Sequence, residues 1–192
     1  MRNSMWRRLL NNGRAWTALM TVVLVVGAFW ICWGRVPQAD RTGDDEAAEM
    51  GPRPGFQASD FELASLEGEP IRLSELEGKI IILNFWATWC QPCRTEMPAL
   101  ERVWNQYRER DLIILAVNLQ ESPQRVSAFV QEIGLTFPIL LDDDGQVFQQ
   151  YQVQLYPTTY FIDRGGIIRD VIYGGPMAET TVASKVIELL ED

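Results

Sequence analysis

Short apolar runs alternate with longer segments of helical spacing from about residue 56 to the C-terminus. Two of the runs, at residues 80–86 and 112–117, are rich in Ile, Leu and Val. Runs of this length and composition are typical of strands buried on both faces of a sheet. The segments between such runs place apolar residues three or four apart, as amphipathic helices do. The alternation predicts a mixed α/β fold with a central sheet flanked by helices.

Turn and capping residues set the expected bounds of these elements. In the first half of this region the pattern predicts a hairpin of residues 60–63 and 70–73, a short helical turn capped by Ser74, a strand at 80–86, a helix at about 90–110 and a strand at 112–117. In the second half it predicts a helix at 122–133, a strand at 137–141, a turn at 142–145, a helical piece at 147–151, a hairpin of 158–162 and 167–173, and a final helix at 178–190.

Residues 16–33 form an apolar run of another kind, because these eighteen positions contain no charged side chain. As a helix they would span about 27 Å at about 1.5 Å per residue, just enough for the hydrocarbon core of a membrane. Residues 1–15 carry four arginines and no acidic residue, whereas every Asp and Glu follows the run. Because basic flanks stay in the cytoplasm, the sequence predicts a single-pass anchor in the cell membrane. Segment 1–15 would be cytoplasmic and the rest of the chain extracytoplasmic.

Two cleaved signals compete with a retained anchor for residues 16–33. A signal peptide would need a shorter apolar core and a cleavage site of small residues, and the chain shows neither. A lipoprotein signal would use Cys32, but it needs a small residue just before the cysteine, where this chain has Ile31. We therefore favour a retained anchor in which Cys32 is a small apolar residue. Cleavage stays an open alternative.

Residues 34–55 are rich in Gly, Pro, Asp, Glu and Ala, which predicts a flexible linker and places the folded domain at 56–192. Four of the 17 basic residues precede the apolar run, so the chain after it has 13 basic and 26 acidic side chains, a formal charge of −13. This balance argues against binding to nucleic acid or to an anionic lipid surface. The solubility of a tethered domain accounts for it.

Cys90 and Cys93 lie where the predicted strand 80–86 ends and the predicted helix 90–110 begins. The N-terminus of a helix presents unpaired N–H groups and the positive end of the helix dipole, and both stabilise a thiolate. Cys90, at the very start of the helix, is the expected attacking thiolate. Cys93, one turn further on, would resolve the mixed disulfide. The spacing predicts a redox-active Cys-Gln-Pro-Cys pair.

A zinc site and a structural disulfide are the alternatives for this pair. A zinc site lacks ligands, because the chain has no histidine and its third cysteine, Cys32, lies in the apolar run. The absence of histidine also excludes Ser-His and Cys-His catalysis. A disulfide across three positions closes a very small loop and would stabilise the fold little. Redox chemistry is therefore the preferred interpretation, and no cofactor or metal is expected.

The chain resembles thioredoxin-like proteins in the segment around the cysteines, Asn84-Phe85-Trp86-Ala87-Thr88-Trp89-Cys90-Gln91-Pro92-Cys93-Arg94-Thr95-Glu96-Met97-Pro98. More narrowly, it is similar to the membrane-anchored ResA/TlpA-type thiol–disulfide oxidoreductases. The similarity runs from about Phe56 to the C-terminus and includes the opening hairpin and the segments 73–79 and 156–163. It implies a thioredoxin-like fold for residues 56–192, with an N-terminal hairpin and a central mixed sheet flanked by helices.

The resemblance also implies a substrate-binding edge beside the cysteines. Pro157 would be cis and pack against the cysteine pair, so that the backbone of Tyr156 could pair with an extended segment of a substrate protein. Trp89, which directly precedes Cys90, is the third candidate for contact with the substrate. A proline at the start of a strand is the alternative interpretation of Pro157.

Glu96 lies one turn after Cys93, and in ResA-like proteins the matching glutamate is an active-site acid that affects the titration of the cysteines. A solvated acid in the first turn of the helix is the alternative, and both remain open. A buried carboxylate there could take the proton of Cys93 during resolution. Asn84 stands where thioredoxin itself has a buried aspartate. An amide accepts no proton, so that role would fall to Glu96, to water or to neither.

These observations predict a protein thiol–disulfide oxidoreductase that reduces disulfides of partner proteins outside the cytoplasmic membrane. The resemblance implies a membrane thiol–disulfide carrier as electron donor and apocytochrome c as one client. An oxidase that introduces disulfides is an alternative, because the motif does not fix the reduction potential. A non-catalytic binding module is another. A peroxidase is disfavoured, because Thr88 stands two positions before Cys90 and not three, as in the Thr-x-x-Cys motif of peroxiredoxins.

Overall fold

The computed structural model describes residues 52–191. The predicted anchor at 16–33 and residues 34–51 of the predicted linker lie outside the described residues. Between residues 52 and 191, no helix combines the length and the apolar character needed to cross a membrane.

The described residues contain one mixed sheet. Its strands are β1 (Glu62–Ser65), β2 (Pro70–Arg72), β3 (Ile80–Trp86), β4 (Leu112–Leu119), β5 (Ile139–Asp142), β6 (Thr158–Ile162) and β7 (Ile168–Tyr173). They lie in the order β2-β1-β5-β4-β3-β6-β7. Strand β3 is parallel to β4 and antiparallel to β6, and β4 is parallel to β5. The β1–β2 hairpin extends the sheet beyond β5, and the hairpin of β6 and β7 completes the other edge.

Helices cover both faces of the sheet. They are α1 (Gln91–Tyr107), α2 (Pro123–Ile133), α3 (Gln146–Gln150) and α4 (Glu179–Glu191). Strand β3 is buried along its whole length, and its side chains alternate between the two faces. Ile80, Ile82 and Trp86 pack into a core with residues of α1, α2 and α4. Leu83 and Phe85 pack on the other face with residues of α3.

The strand directions bring four chain segments to the same end of the sheet, where β3 and β4 finish. Trp86 lies opposite Asn118, so the segments that follow the parallel strands β3 and β4 both start at this end. Phe85 lies opposite Thr158, and Thr158 lies opposite Tyr173, so β6 begins and β7 ends there. The cysteines and Pro157 therefore lie at the same end of the sheet although they are far apart in the sequence.

Most predicted elements are present, but the predicted cap at Ser74 is wrong. The turn is a 3-10 helix at Leu73–Leu76 that follows Arg72, and it has no side-chain cap. The backbone N–H and the hydroxyl of Ser74 instead donate to the carboxylate of Asp60, at 2.9 and 3.0 Å. The reason is tertiary: this contact ties the turn to the segment before β1, fourteen residues earlier.

The predicted turn at 142–145 begins one residue too early, because Asp142 is the last residue of β5. Its buried carboxylate accepts hydrogen bonds from the N–H groups of Val147 and Phe148, at 3.4 and 2.9 Å. Asp142 therefore caps α3 from within the sheet, and burial raises its pKa above the ordinary value. The predicted helix 90–110 is likewise divided into α1 and a 3-10 turn at Arg108–Arg110.

Candidate active site

The two cysteines of the Cys-Gln-Pro-Cys segment form a disulfide at the N-terminus of α1. Cys90 is the N-cap residue, with extended backbone angles, and its Sγ accepts a hydrogen bond from the N–H of Cys93 at 3.2 Å. Residue Cys90 is 5% exposed and Cys93 is fully buried. Cys90 is thus the more accessible residue of the pair.

The sequence explains why the helix begins here. Pro92 lies in the first turn, where its missing N–H removes no helical hydrogen bond and its fixed φ favours the helix. No acidic residue occupies that turn, so the positive end of the helix dipole is not offset by a side chain of α1. A thiolate at Cys90 would accept the Cys93 N–H and lie at this positive end. The arrangement can therefore stabilise a reactive thiolate.

Pro157 follows a cis peptide bond with Tyr156, as the resemblance implies. The surrounding turn is held by two hydrogen bonds of 2.7 Å, from the Thr158 hydroxyl to the Leu155 carbonyl and from the Gly174 N–H to the Pro157 carbonyl. Pro157 also directly precedes β6, so the alternative interpretation as a proline at a strand start describes its position as well.

Trp89 and Tyr156 connect the cysteine segment to the proline turn at the surface. Their rings pack edge to face, with 5.6 Å between centroids. The indole of Trp89 is 57% exposed, whereas Tyr156 is half-buried. The structure thus brings the neighbours of Cys90 and Pro157 together, and it leaves a large aromatic surface open to a partner.

Two surface depressions lie along this aromatic pair. The first, of about 470 Å³, is lined by Trp89, Leu119, Gln120, Glu121, Ser122 and Arg125. The second, of about 450 Å³, is lined by Leu119, Gln120, Asp144, Gly145, Phe148, Gln149, Gln152, Val153, Gln154 and Tyr156. The two depressions are neighbours, because Leu119 and Gln120 line both, and their walls combine aromatic rings with glutamine amides.

Glu96 is fully buried on α1, so the alternative of a solvated acid is wrong. Its Oε1 accepts a hydrogen bond from Asn84 Nδ2 at 2.8 Å, and its Oε2 accepts one from the N–H of Met177 at 3.1 Å. Burial is the largest influence and raises the pKa of Glu96 to about 7, although both hydrogen bonds act to lower it. Near neutral pH this carboxyl can therefore either release or accept a proton.

Sequence reasoning missed Glu121, which lies just after β4. Its carboxylate accepts hydrogen bonds from the N–H and the hydroxyl of Thr88, both at 2.6 Å, and from Asn118 Nδ2 at 2.9 Å. It also pairs with Arg125 at 3.1 Å, and its side chain is 7% exposed. Glu121 thus fixes the segment that leads into Cys90. No pattern in the sequence marks this contact, because it depends on the parallel pairing of β3 and β4, which places the ends of both strands together.

The described residues offer no group of three His, Cys, Asp or Glu side chains arranged to hold a metal ion. The chemistry that the site can supply is that of the two sulfur atoms, the buried carboxyl and the N–H donors around them.

Comparison with known proteins bears directly on this site. Residues 54–171, more than half of the chain, match the profile of the AhpC/TSA family. The thioredoxin-like protein YneN of Bacillus subtilis is 44% identical over 141 residues, which cover 72% of this chain and 81% of that protein. The thiol-disulfide oxidoreductase ResA of Halalkalibacterium halodurans is 44% identical over 139 residues, with 72% and 78% covered. The chain belongs to the ResA-type thiol–disulfide oxidoreductases.

The solved structures agree with this assignment. A protein from Chlorobium tepidum, described as a thiol:disulfide interchange protein DsbE, superposes with a TM-score of 0.66 at 27% identity. The superposition covers 72% of this chain and 97% of that one. The predicted thioredoxin-like α/β fold with a mixed sheet is therefore confirmed. A ResA-type protein with this geometry is a protein thiol–disulfide oxidoreductase, and its substrates are protein thiols or disulfides.

Proposed function

We propose that this ResA-type protein reduces disulfides in partner proteins outside the cytoplasm, with Cys90 and Cys93 as its dithiol. The observation that carries the proposal is the disulfide at the start of α1, in which the Cys93 N–H donates to Cys90 Sγ. This position favours a thiolate at Cys90 and places a second sulfur within bonding distance of it.

The proposed cycle moves two electrons. The Cys90 thiolate attacks one sulfur of a substrate disulfide, and the other substrate sulfur leaves as a thiolate that takes up a proton. Glu96 in its ionised form accepts the proton of the Cys93 thiol. The Cys93 thiolate then attacks Cys90 Sγ, which breaks the mixed disulfide and releases the second substrate sulfur as a thiolate. This thiolate takes up the proton that Glu96 received from Cys93, so Glu96 is ionised again. The substrate leaves as a dithiol, and the enzyme is left with the Cys90–Cys93 disulfide.

The substrate would lie along the depressions beside the cysteines. Trp89 would contact its side chains, and Tyr156 and Pro157 would hold its backbone as an added strand. In support, the backbone of Tyr156 makes no main-chain hydrogen bond within residues 52–191, so it is available to a partner. Backbone pairing gives affinity with little dependence on the substrate sequence.

We infer the placement of the domain from the pattern of apolar and charged residues in the sequence. Residues 16–33 would be a membrane anchor, 1–15 a cytoplasmic segment and 34–55 a linker, with the domain 56–192 extracytoplasmic. The four N-terminal arginines support this orientation. A membrane thiol–disulfide carrier would return electrons to the disulfide. By analogy with the family, the haem-binding cysteines of apocytochrome c are one client.

The experiment that tests this function is the equilibrium reduction potential of Cys90 and Cys93, followed by tryptophan fluorescence across a series of thiol–disulfide buffers. A value near or below about −250 mV is expected of a reductant. A value near or above about −150 mV would favour the disulfide-introducing oxidase instead. Absence of any reversible two-electron transition would leave the non-catalytic binding module as the better account.

Trapping of a mixed disulfide tests the order in which the cysteines act. We expect Cys93→Ser to accumulate a mixed disulfide with a disulfide-bonded peptide, because the attacking sulfur remains and the resolving one is gone. Cys90→Ser should form none. Non-reducing electrophoresis and mass spectrometry distinguish the two variants, and the reverse pattern would exchange the proposed roles.

A further inference from the structure

A buried polar network extends beyond Glu96 to two residues without a role in the proposed cycle. Asn84 of β3 donates from Nδ2 to Glu96 Oε1 and to Thr159 Oγ1, at 2.8 Å each. All three side chains are buried. The other polar atom of the amide, Asn84 Oδ1, has no hydrogen-bond partner among residues 52–191. The amide is therefore held through one of its two polar atoms.

Rotation of the Asn84 side-chain amide by half a turn would exchange the positions of Oδ1 and Nδ2. When Glu96 is ionised it only accepts, and Nδ2 of Asn84 donates to it, as the structure shows. When Glu96 is protonated it carries an O–H donor, and the Oδ1 of a rotated Asn84 amide would accept a hydrogen bond from it. The Thr159 hydroxyl both donates and accepts, so it can pair with either end of the amide. The contacts of Asn84 with Glu96 and Thr159 can thus be kept in each protonation state, while the outer polar atom of the amide has no partner within residues 52–191.

We propose that Asn84 and Thr159 are positioning residues that set the pH at which Glu96 exchanges its proton. Asn84 acts directly, because a hydrogen bond to a carboxylate is about twice as strong as one to a neutral carboxyl. Thr159 acts through Asn84, because it holds the amide in place. The assignment deepens the proposed function and rests on the role given there to Glu96 as proton acceptor for Cys93.

The groups that face Glu96 are few. Cys93 precedes it by one turn on α1, Asn84 reaches it from β3, and the N–H of Met177 reaches it from the segment between β7 and α4. Burial raises the pKa of Glu96, and only the donors on Met177 and Asn84 lower it. No charged side chain within residues 52–191 contributes to that shift. Among the side chains of residues 52–191, Asn84 is therefore the one that donates a hydrogen bond to this carboxyl.

Titration of Glu96 in the oxidised protein tests the proposal, because Cys90 and Cys93 do not titrate while they form a disulfide. The carboxyl can be followed by carbon-13 NMR or by its infrared band in Asn84→Leu, which removes the donor at similar volume. We expect the pKa of Glu96 to rise by about 1, the size expected for one charge-assisted hydrogen bond. An unchanged or lower pKa in the folded variant would overturn the proposal.

Thr159 provides a matched pair of variants that keeps the test decisive if Asn84→Leu does not fold. Thr159→Val removes the hydroxyl at constant shape, and Thr159→Ser keeps the hydroxyl. We expect Thr159→Val to raise the pKa of Glu96 by less than Asn84→Leu does, and Thr159→Ser to titrate like the unsubstituted protein. Identical titration of Thr159→Val and the unsubstituted protein would remove Thr159 from the network.

The rate at which the mixed disulfide is resolved tests the role of Glu96 separately. If the pKa rises by about 1, Asn84→Leu should resolve about tenfold more slowly than the unsubstituted protein at pH 6, and equally fast at pH 9. Stopped-flow measurement of release of the second substrate thiol gives this profile. If the pKa moves while the rate profile does not, tuning by Asn84 stands and the role of Glu96 in the cycle fails.

Discussion

At the scale of single residues, the two sulfur atoms differ in the groups that surround them. Cys90 Sγ receives an N–H at the start of α1, which favours the charged form needed for attack. Cys93 is fully buried, one helical turn before a carboxyl whose pKa is about 7. The start of α1 thus favours the charged form of Cys90, and the sequence places Cys93 one turn from a buried carboxyl.

The raised pKa of Glu96 predicts a pH dependence of stability. Folding raises this pKa from 4.5 to about 7, so the protonated carboxyl favours the folded state. Its contribution is fully present below about pH 4.5 and is lost as the pH rises to about 7, a difference of about 3 kcal/mol. Denaturant unfolding of the oxidised protein between pH 4 and 8 measures it.

Glu96→Gln should remove the part of that slope that comes from Glu96, because glutamine does not titrate, and leave the part that comes from the raised pKa of Asp142. Glu67→Gln is the control, since Glu67 is exposed in the turn between β1 and β2 and should leave the slope unchanged. Equal slopes in the unsubstituted protein and Glu96→Gln would mean that burial does not shift the carboxyl.

At the scale of elements, the parallel pairing of β3 and β4 holds the nucleophile segment in place. Thr88, two residues before Cys90, is fixed through its N–H and its hydroxyl by the carboxylate of Glu121. Arg125 of α2 completes the contact, because its Nε donates to the same hydroxyl at 2.9 Å. The Glu121 carboxylate therefore connects the segment after β3 and the end of β4 to the start of α2.

Glu121→Ala should destabilise the protein by about 1–3 kcal/mol, because it leaves the N–H of Thr88 without its partner. It should also slow attack by Cys90, since the segment that leads to the sulfur would no longer be fixed. Thermal unfolding and the rate of mixed-disulfide formation measure the two effects. Glu109→Ala, which removes a highly exposed carboxylate, is the control. An unchanged rate of attack would reduce Glu121 to a purely structural contact.

The sequence predicts those elements whose signals are local. The apolar run of β3 and the Ser122-Pro123 start and Gly134 end of α2 are found where the pattern places them. Ser74 and Asp142 deviate because their partners come from other elements, namely Asp60 and the start of α3. Long-range contacts of this kind leave no periodic signal along the chain.

The candidate site shows the same division. Cys90 and Cys93 carry their own spacing signal, and Pro157 could be proposed from the family resemblance. The burial of Glu96 and its bonds to Asn84 and Met177 depend on packing between α1, β3 and the segment before α4. No pattern along the sequence distinguishes such a carboxyl from a solvated one in the first turn of a helix.

At the scale of the whole molecule, the sheet separates two cores. One contains the cysteines with α1, α2 and α4, and the other is rich in aromatic rings. Phe85 lies at the centre of the second core, with its ring 4.9 Å from Phe148, 5.3 Å from Tyr151 and 5.8 Å from Tyr160 between centroids. Trp89, by contrast, is an aromatic residue at the exposed edge of the site.

Two aromatic substitutions should therefore have opposite consequences. Phe85→Ala should lower the free energy of unfolding by about 3–5 kcal/mol, because it opens a cavity in a packed core. Trp89→Ala should change it by at most about 0.5 kcal/mol, yet weaken reduction of a protein disulfide. Chemical denaturation and kinetics with a protein substrate and a small disulfide measure both. Equal loss of activity on both substrates in Trp89→Ala would argue against a role in binding.

The alternation of β3 has a consequence for substitutions at adjacent positions of this strand. Even-numbered positions, such as Asn84, face the core that contains the redox site, and odd-numbered positions, such as Phe85, face the aromatic core. Adjacent positions of β3 therefore belong to different sets of neighbours. A substitution at Asn84 changes the polar contacts beside Glu96, whereas one at Phe85 changes the packing of the aromatic core, so the two substitutions have consequences of different kinds.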